Sequence, residues 1–100
     1  MKKLILILVC IAALSACKKT ATYTPDCSGT AKSFATDVMP LMSSNCVSCH
    51  SNFSSYAGVS GDKSAIRSNI VSGNMPKSTT LSQAQKDAVV CWIDNGAANN

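Results

Sequence analysis

The sequence predicts a small all-α domain of three main helices, preceded by a targeting segment that lies outside the fold. Three observations predict this class. The length, 100 residues, suits a single domain. Apolar residues recur at helical spacing in residues 33–46, 62–72 and 82–96. Residues that start and stop helices border the second and third of these stretches.

The first 16 residues have the pattern of a signal peptide. Lys2 and Lys3 precede an apolar run over residues 4–14, which is too short to span a membrane comfortably. The run ends in Leu-Ser-Ala-Cys, which resembles the lipobox of bacterial lipoproteins and implies removal of residues 1–16 and acyl chains on Cys17. The alternative is an ordinary secretory signal in which Cys17 is a chance residue.

Residues 17–26 are predicted to hold the domain near a membrane of the bacterial cell envelope. Lys18 replaces the aspartate that signals inner-membrane retention in some Gram-negative bacteria. The resemblance therefore implies a lipid anchor in the outer membrane facing the periplasm, although the rule varies between phyla and leaves the inner membrane open. Residues 18–26 are polar without apolar periodicity, which indicates a tether of at most about 30 Å. The domain is expected to occupy residues 27–100.

The charge of the chain gives no indication of nucleic-acid binding. Without Lys2 and Lys3, seven Lys and Arg residues stand against five Asp and Glu, a formal charge of +2. The basic residues are scattered and no aromatic platform accompanies them.

The first helix is predicted to be short. One helix face carries four apolar residues, Phe34, Val38, Leu41 and Met42. Pro40 interrupts the pattern because it lacks an N–H and disfavours helical dihedrals in the residue before it. We therefore expect the helix to begin near Asp37 as N-cap, with Pro40 in its first turn.

The rest of the chain is predicted to contain a loop and two further helices. Residues 51–61 are rich in Ser, Gly and Asn and indicate a loop. Residues 62–72 resume helical spacing, with Gly73 at the C′ position and an ordered loop after it. Ser82 and Gln85 form a capping box for the last helix, which Gly96 ends. Its apolar face is so wide that two sides must be covered.

The motif that carries chemistry is Cys46-Val47-Ser48-Cys49-His50. Two thiols three residues apart can add to the two vinyl groups on one edge of a porphyrin, and the adjacent imidazole is directed to the iron. The motif therefore predicts one covalent haem c on Cys46 and Cys49, with His50 as an iron ligand.

Two other interpretations of the motif stay open. A thioredoxin-like redox pair requires a βαβ context that the helical pattern lacks. A structural zinc site requires Cys27 or Cys91 as a fourth ligand beside the motif.

The second iron ligand cannot be a histidine of this chain, because His50 is the only one. A methionine, an amine, an asparagine or an open position remain, and methionine is the usual ligand in electron carriers. Met75 lies 25 residues after His50, directly before Pro76. The other methionines are lost with the signal or lie close to Cys46, so we predict Met75, against the alternative that it fills a gap in the core.

These features together resemble the class I monohaem cytochrome c family over residues 33–97. The resemblance implies a small fold of three helices around one haem, with Cys46 and Cys49 in thioether bonds and His50 and Met75 on the iron. It implies an electron carrier between redox proteins, a donor and an acceptor, and no enzyme activity. One departure is that no proline follows His50 to offer its carbonyl to the imidazole, so another group must orient His50.

Two further functions stay open at this point. A haem enzyme or sensor would keep the sixth iron position open for peroxide or a diatomic gas. A zinc-binding structural lipoprotein would contain no haem.

The remaining cysteines are predicted to form a disulfide. Of six cysteines, Cys10 leaves with the signal, and Cys27 and Cys91 are left after lipid and haem are assigned. Export places this pair in an oxidising compartment, and the helices concerned meet in the family fold. The bond would contribute about 4 kcal/mol in the chain-entropy model; the alternative is two buried free thiols.

Few aromatic residues are available for the core, so we expect the haem to form part of it. Five side chains are predicted to cover the haem: Leu41, Ile66, Ile70, Val89 and Trp92.

Overall fold

The computed structural model describes residues 22–100. The predictions for the signal peptide, for Cys10 and for acylation of Cys17 lie outside these residues. Within residues 22–100 the chain is helical and contains no β-strand, which confirms the predicted all-α class. In chain order the elements are a π-helical turn (Phe34–Val38), α1 (Met39–Asn45), a 3₁₀ turn (Ser51–Ser54), α2 (Tyr56–Gly61), α3 (Lys63–Val71) and α4 (Gln83–Asp94).

The first helical segment begins earlier than predicted. Ser33, not Asp37, is the N-cap, and its hydroxyl accepts a hydrogen bond from the Thr36 N–H. Asp37 lies in the first turn, where its carboxylate accepts from the Ser33 N–H at 2.8 Å. The expectation that Asp37 caps the helix was therefore wrong.

Pro40 is accommodated by a change of helical type. The Val38 N–H donates to the Ser33 carbonyl at 3.2 Å, a bond that spans five residues, and the π-helical turn then continues directly into α1. Pro40 falls in the first turn of α1, where a missing N–H costs little. The π-helical turn thus allows the helical segment to continue past Pro40, which the sequence pattern indicates as an interruption.

The predicted loop at residues 51–61 is instead largely helical. Ser55 caps α2, since its hydroxyl accepts from the Gly58 N–H at 3.2 Å. Phe53 and Val59 turn inward and are buried. A Cβ on Gly58 would collide with the Asn52 carbonyl oxygen, so glycine permits the close contact between the 3₁₀ turn and α2.

The ends of α3 and α4 confirm the predictions made from local signals. Gly73 follows α3 with φ of +76°, and Gly96 follows α4 with φ of +109°. Both hydrogen bonds of the capping box between Ser82 and Gln85 are present.

The last helix is covered on several sides, as its wide apolar surface predicts. α4 packs against the π-helical turn and against α3. Trp92, 1 % exposed, lies 5.4 Å from Phe34 between ring centroids and donates its indole N–H to the Ala98 carbonyl at 2.8 Å. Tyr56 completes this aromatic cluster, edge-on to both other rings.

The segment before the first helix is fastened to α4. Asp87 is 9 % exposed, and its carboxylate accepts from the Tyr23 hydroxyl at 2.6 Å and from the Asp26 N–H at 3.1 Å. Cys27 and Cys91 form the disulfide that was predicted, with a Cα–Cα distance of 5.4 Å. We call these five residues the N-terminal clasp. Residues 23–26, which were expected to form part of a tether, therefore lie against the domain.

Candidate functional site

An apolar crevice with a volume of about 380 Å³ opens between α1, α3, the segment after α3 and α4. This volume lies in the range of sites that bind small molecules and cofactors. The crevice is lined by apolar side chains that come from α1, the 3₁₀ turn, α3, the segment after α3 and α4: Leu41, Met42, Phe53, Ala65, Ile66, Ile70, Leu81 and Val89. Met42 and Val89 are almost completely buried, so the crevice floor is part of the core.

The motif residues lie at this crevice because a tight turn continues α1. The Cys46 N–H donates to the Met42 carbonyl at 2.9 Å, and the Cys49 and His50 N–H groups both donate to the Cys46 carbonyl, at 3.1 and 2.8 Å. Cys46, Cys49 and His50 all line the crevice. Residues 46–50 thus form one compact turn, which brings two thiols and an imidazole to the same crevice.

The two thiols of this turn differ in environment. Both are free, in contrast to the thiols of Cys27 and Cys91. Cys46 is half-buried, and this burial raises the pKa of its thiol, whereas Cys49 is exposed. The Cys46 thiol is consequently held in its neutral form at neutral pH.

The imidazole of His50 is in contact with an aromatic ring that the sequence pattern did not single out. The ring of Phe53 stacks on it with centroids 5.0 Å apart and planes 23° apart. The Phe53 N–H also donates to the His50 carbonyl at 2.9 Å. The sequence analysis missed Phe53 because it lies in the stretch predicted as a loop. Its position three residues after His50, the spacing of neighbours on one helical turn, is the signal that could have identified it.

Met75 also lines the crevice, from a segment far along the chain from His50. Its N–H donates to the Asn69 carbonyl at 3.1 Å, which ties the backbone to the end of α3. Asn74 donates from its amide to Asn69 at 3.1 Å and accepts from the Lys77 ammonium at 2.9 Å. These hydrogen bonds join the loop after Gly73 to α3, and the loop brings the half-buried side chain of Met75 to the crevice.

Four of the five residues that were predicted to cover a haem lie at the crevice, while their contact with a haem stays a prediction. Leu41, Ile66, Ile70 and Val89 line the crevice. Trp92 does not, because it lies on another side of α4 within the aromatic cluster. Four of the apolar crevice residues named above were not predicted as cover: Met42, Phe53, Ala65 and Leu81.

The alternative zinc site required Cys27 or Cys91 as a fourth ligand, and neither thiol is free. Cys27 and Cys91, one of which was needed beside the motif, are joined in the disulfide. Among residues 22–100, no group of three or more His, Cys, Asp or Glu residues is arranged to hold a metal ion.

The described part of the chain contains no helix that is both long and apolar enough to cross a membrane. Comparisons with protein-family models, with curated proteins and with solved structures found no match to this chain. The resemblance to class I cytochromes c therefore rests on the motif and on the order of the helices.

The donor set at the crevice fits a covalently bound haem. Free thiols suit thioether formation, and an imidazole and a thioether are the iron ligands typical of electron-carrying cytochromes. The apolar lining suits a porphyrin, since burial of apolar surface away from water is favourable.

Proposed function

We propose that this chain is a lipid-anchored c-type cytochrome that carries one covalent haem in the crevice and transfers single electrons between redox proteins. The observation that carries the proposal is that Met75, 25 residues after His50, lines the same apolar crevice as the turn that holds Cys46, Cys49 and His50.

The four residues have three tasks in this proposal. Cys46 and Cys49 bind the haem by thioether bonds, so that the cofactor cannot dissociate. His50 coordinates the iron from the turn after α1, and the stacked ring of Phe53 restricts the orientation of its imidazole. Met75 coordinates from the loop that Asn69 and Asn74 hold in place. A haem held by these residues would supply one-electron chemistry through the ferric and ferrous states of its iron.

The surrounding residues set the environment of that chemistry. Ile66, Ile70 and Val89 are buried and keep water from one side of the crevice. Cys49 and His50 are exposed, so the edge of the crevice that they form lies at the molecular surface. A redox partner can approach this edge closely, which electron transfer requires.

The first test is whether haem stays bound to the denatured chain. The full chain, produced in a bacterium that attaches haem to exported proteins, is separated by denaturing electrophoresis and stained for haem. We expect staining for the native chain and none for the Cys46→Ser and Cys49→Ser double variant. The matched control is the Cys27→Ser and Cys91→Ser double variant, which loses two thiols but keeps the motif and should stain. An unstained native chain contradicts the proposal.

The second test separates an electron carrier from a haem enzyme or sensor with an open iron position. We expect a low-spin ferric spectrum with the weak sulfur-to-iron charge-transfer band, which Met75→Ala abolishes and Met39→Leu retains. Met39 is the matched control because it is a half-buried methionine that does not line the crevice. High-spin ferric haem in the native protein at neutral pH would contradict Met75 ligation and favour the open-site alternative.

A further inference from the structure

The two sides of α3 serve different surfaces of the domain. One side lines the crevice, through Ala65, Ile66, Asn69 and Ile70. The other side lines a shallow groove with Thr22 and Ile93, through Lys63, Ser64, Arg67, Ser68 and Val71. With 3.6 residues per turn, these two sets point in directions about 165° apart around the helix. The crevice and the groove therefore face nearly opposite ways.

The chain reaches the groove at a fixed point. Thr22 lines the groove, and Tyr23 next to it is bound to the buried carboxylate of Asp87. The predicted acylated residue, Cys17, lies five positions before Thr22. Five extended residues span at most about 17 Å. An anchored domain would consequently keep the groove, and not the crevice, next to the lipid.

The chemistry of the groove suits the surface of an anionic bilayer. The groove is lined by the half-buried residues Val71 and Ile93 and by three serines. Arg67 is neutralised by Asp94 at 2.7 Å, which leaves Lys63 as a cation at the groove. Lys18 and Lys19 follow Cys17 directly and add positive charge beside the anchor. Basic residues near a bilayer are attracted to anionic lipid headgroups.

We propose that the groove, defined by Thr22, Lys63, Arg67, Val71 and Ile93, rests on the anionic lipid surface, so that the crevice faces the aqueous phase. This orientation rests on the lipid anchor of the proposed function. It restricts the redox partners to proteins that approach from the aqueous side, because a partner embedded in the same membrane would meet the groove side of the domain.

The orientation can be measured by lysine labelling. The full lipidated chain is reconstituted in vesicles of phosphatidylglycerol and phosphatidylethanolamine and treated with a water-soluble acetylating reagent. Modification of each lysine is then compared by mass spectrometry with that of a soluble Cys17→Ser form. Lys63 at the groove and Lys77 at the crevice are both exposed, so each reports on its own side. We expect vesicles to lower acetylation of Lys63 severalfold and to leave Lys77 unchanged.

Each other outcome overturns the proposal in a recognisable way. Protection of Lys77 with Lys63 unchanged means that the crevice faces the lipid. Equal labelling of both lysines in a chain that sediments with the vesicles means that the anchored domain has no preferred side. A chain that does not sediment and whose mass lacks acyl groups refutes the anchor and the orientation together, while haem staining still reports independently on the cytochrome.

Discussion

The N-terminal clasp and the crevice occupy opposite sides of α4 and are built on different principles. At the clasp, Asp87 and Cys91 lie one turn apart on α4, and the preceding chain supplies a partner for each. At the crevice, Val89 faces apolar side chains, two free thiols, an imidazole and a thioether. One side of α4 is thus covered by the preceding chain. The other side borders an apolar crevice to which other segments contribute reactive side chains.

This difference indicates how a small chain can combine stability with a cofactor site. The clasp closes a long loop with a covalent bond and a buried hydrogen-bonded carboxylate, which stabilises the fold without apolar area. The crevice can then leave apolar surface for a bound group. Variants on the two sides should accordingly have different effects. Variants at the clasp should change only the free energy of unfolding, and variants at the crevice should also change the haem spectrum.

The largest effect on stability is expected from the disulfide. Replacing Cys27 and Cys91 by alanine releases a loop whose ends are 64 residues apart. We expect the free energy of unfolding, measured in urea, to fall by about 4 kcal/mol. Reductant should weaken the native protein by a similar amount and leave the double variant unchanged. A loss below about 1 kcal/mol would show that the clasp is held by its hydrogen bonds and packing instead.

A smaller loss is expected on the crevice side from Gly58→Ala. The added methyl group collides with the Asn52 backbone two residues after His50, so the 3₁₀ turn must shift. We expect a loss of about 1–3 kcal/mol in urea unfolding, together with a change in the haem spectrum. Gly61→Ala is the matched control, since a methyl group there meets no atom within 4 Å. Equal stability of the two variants would contradict the close contact.

The hydrogen bond between Tyr23 and Asp87 should contribute less than the disulfide. Tyr23→Phe removes a donor to a carboxylate at the clasp, and we expect a loss of about 1.5 kcal/mol at neutral pH. Asp87 retains the Asp26 N–H and the Gln83 amide as donors, which limits the effect. The haem spectrum should not change, and a spectral change equal to that of Gly58→Ala would mean that the two sides are coupled.

The pH dependence of stability gives a second signature of the same bond. The Tyr23 hydroxyl holds the pKa of Asp87 below its ordinary value, so this stabilisation is present above about pH 4 and is lost as the pH falls further. Burial, and then the Asp87 carboxylate, raises the pKa of Tyr23, so that stabilisation is present below about pH 10 and is lost as the pH rises. In urea titrations at a series of pH values, Tyr23→Phe should weaken both the alkaline and the acid decline in the free energy of unfolding. An unchanged alkaline decline would contradict the assignment.

The smallest effect is expected from the ion pair on the groove side. Arg67 and Asp94 are 40 % and 37 % exposed, so Arg67→Gln should lower stability less than any of the destabilising variants above. The Arg67 guanidinium holds the pKa of Asp94 below its ordinary value, but salt should screen the pair. Urea unfolding of both proteins at low and high salt checks this, and a difference that survives high salt would indicate packing by the arginine stem.

Several structural features could be predicted because they depend on neighbours along the chain. A helix cap joins a side chain to a backbone group three residues away, so Ser82 with Gln85 and the glycines at positions 73 and 96 were recognisable. The spacing within residues 46–50 is equally local. One wrong prediction was local, since Ser33 and not Asp37 caps the first helix. Another concerns burial: Phe53 and Val59 form part of a helical, buried segment because the rest of the domain covers them.

The sequence by itself determined the helical class, the ends of α3 and α4, and the group of residues Cys46, Cys49 and His50, because these follow from periodicity and short-range contacts. Only the tertiary structure decided that Ser33 caps the first helix, that Trp92 lies away from the crevice, and that Phe53 stacks on His50. It also showed that residues 23–26 are bound to α4. The contacts of residues 23–26 join residues about 60 positions apart, which no local pattern reveals. The contacts of Ser33 and Phe53 are local, but several residues offered the same local pattern, and packing of the whole domain selected among them.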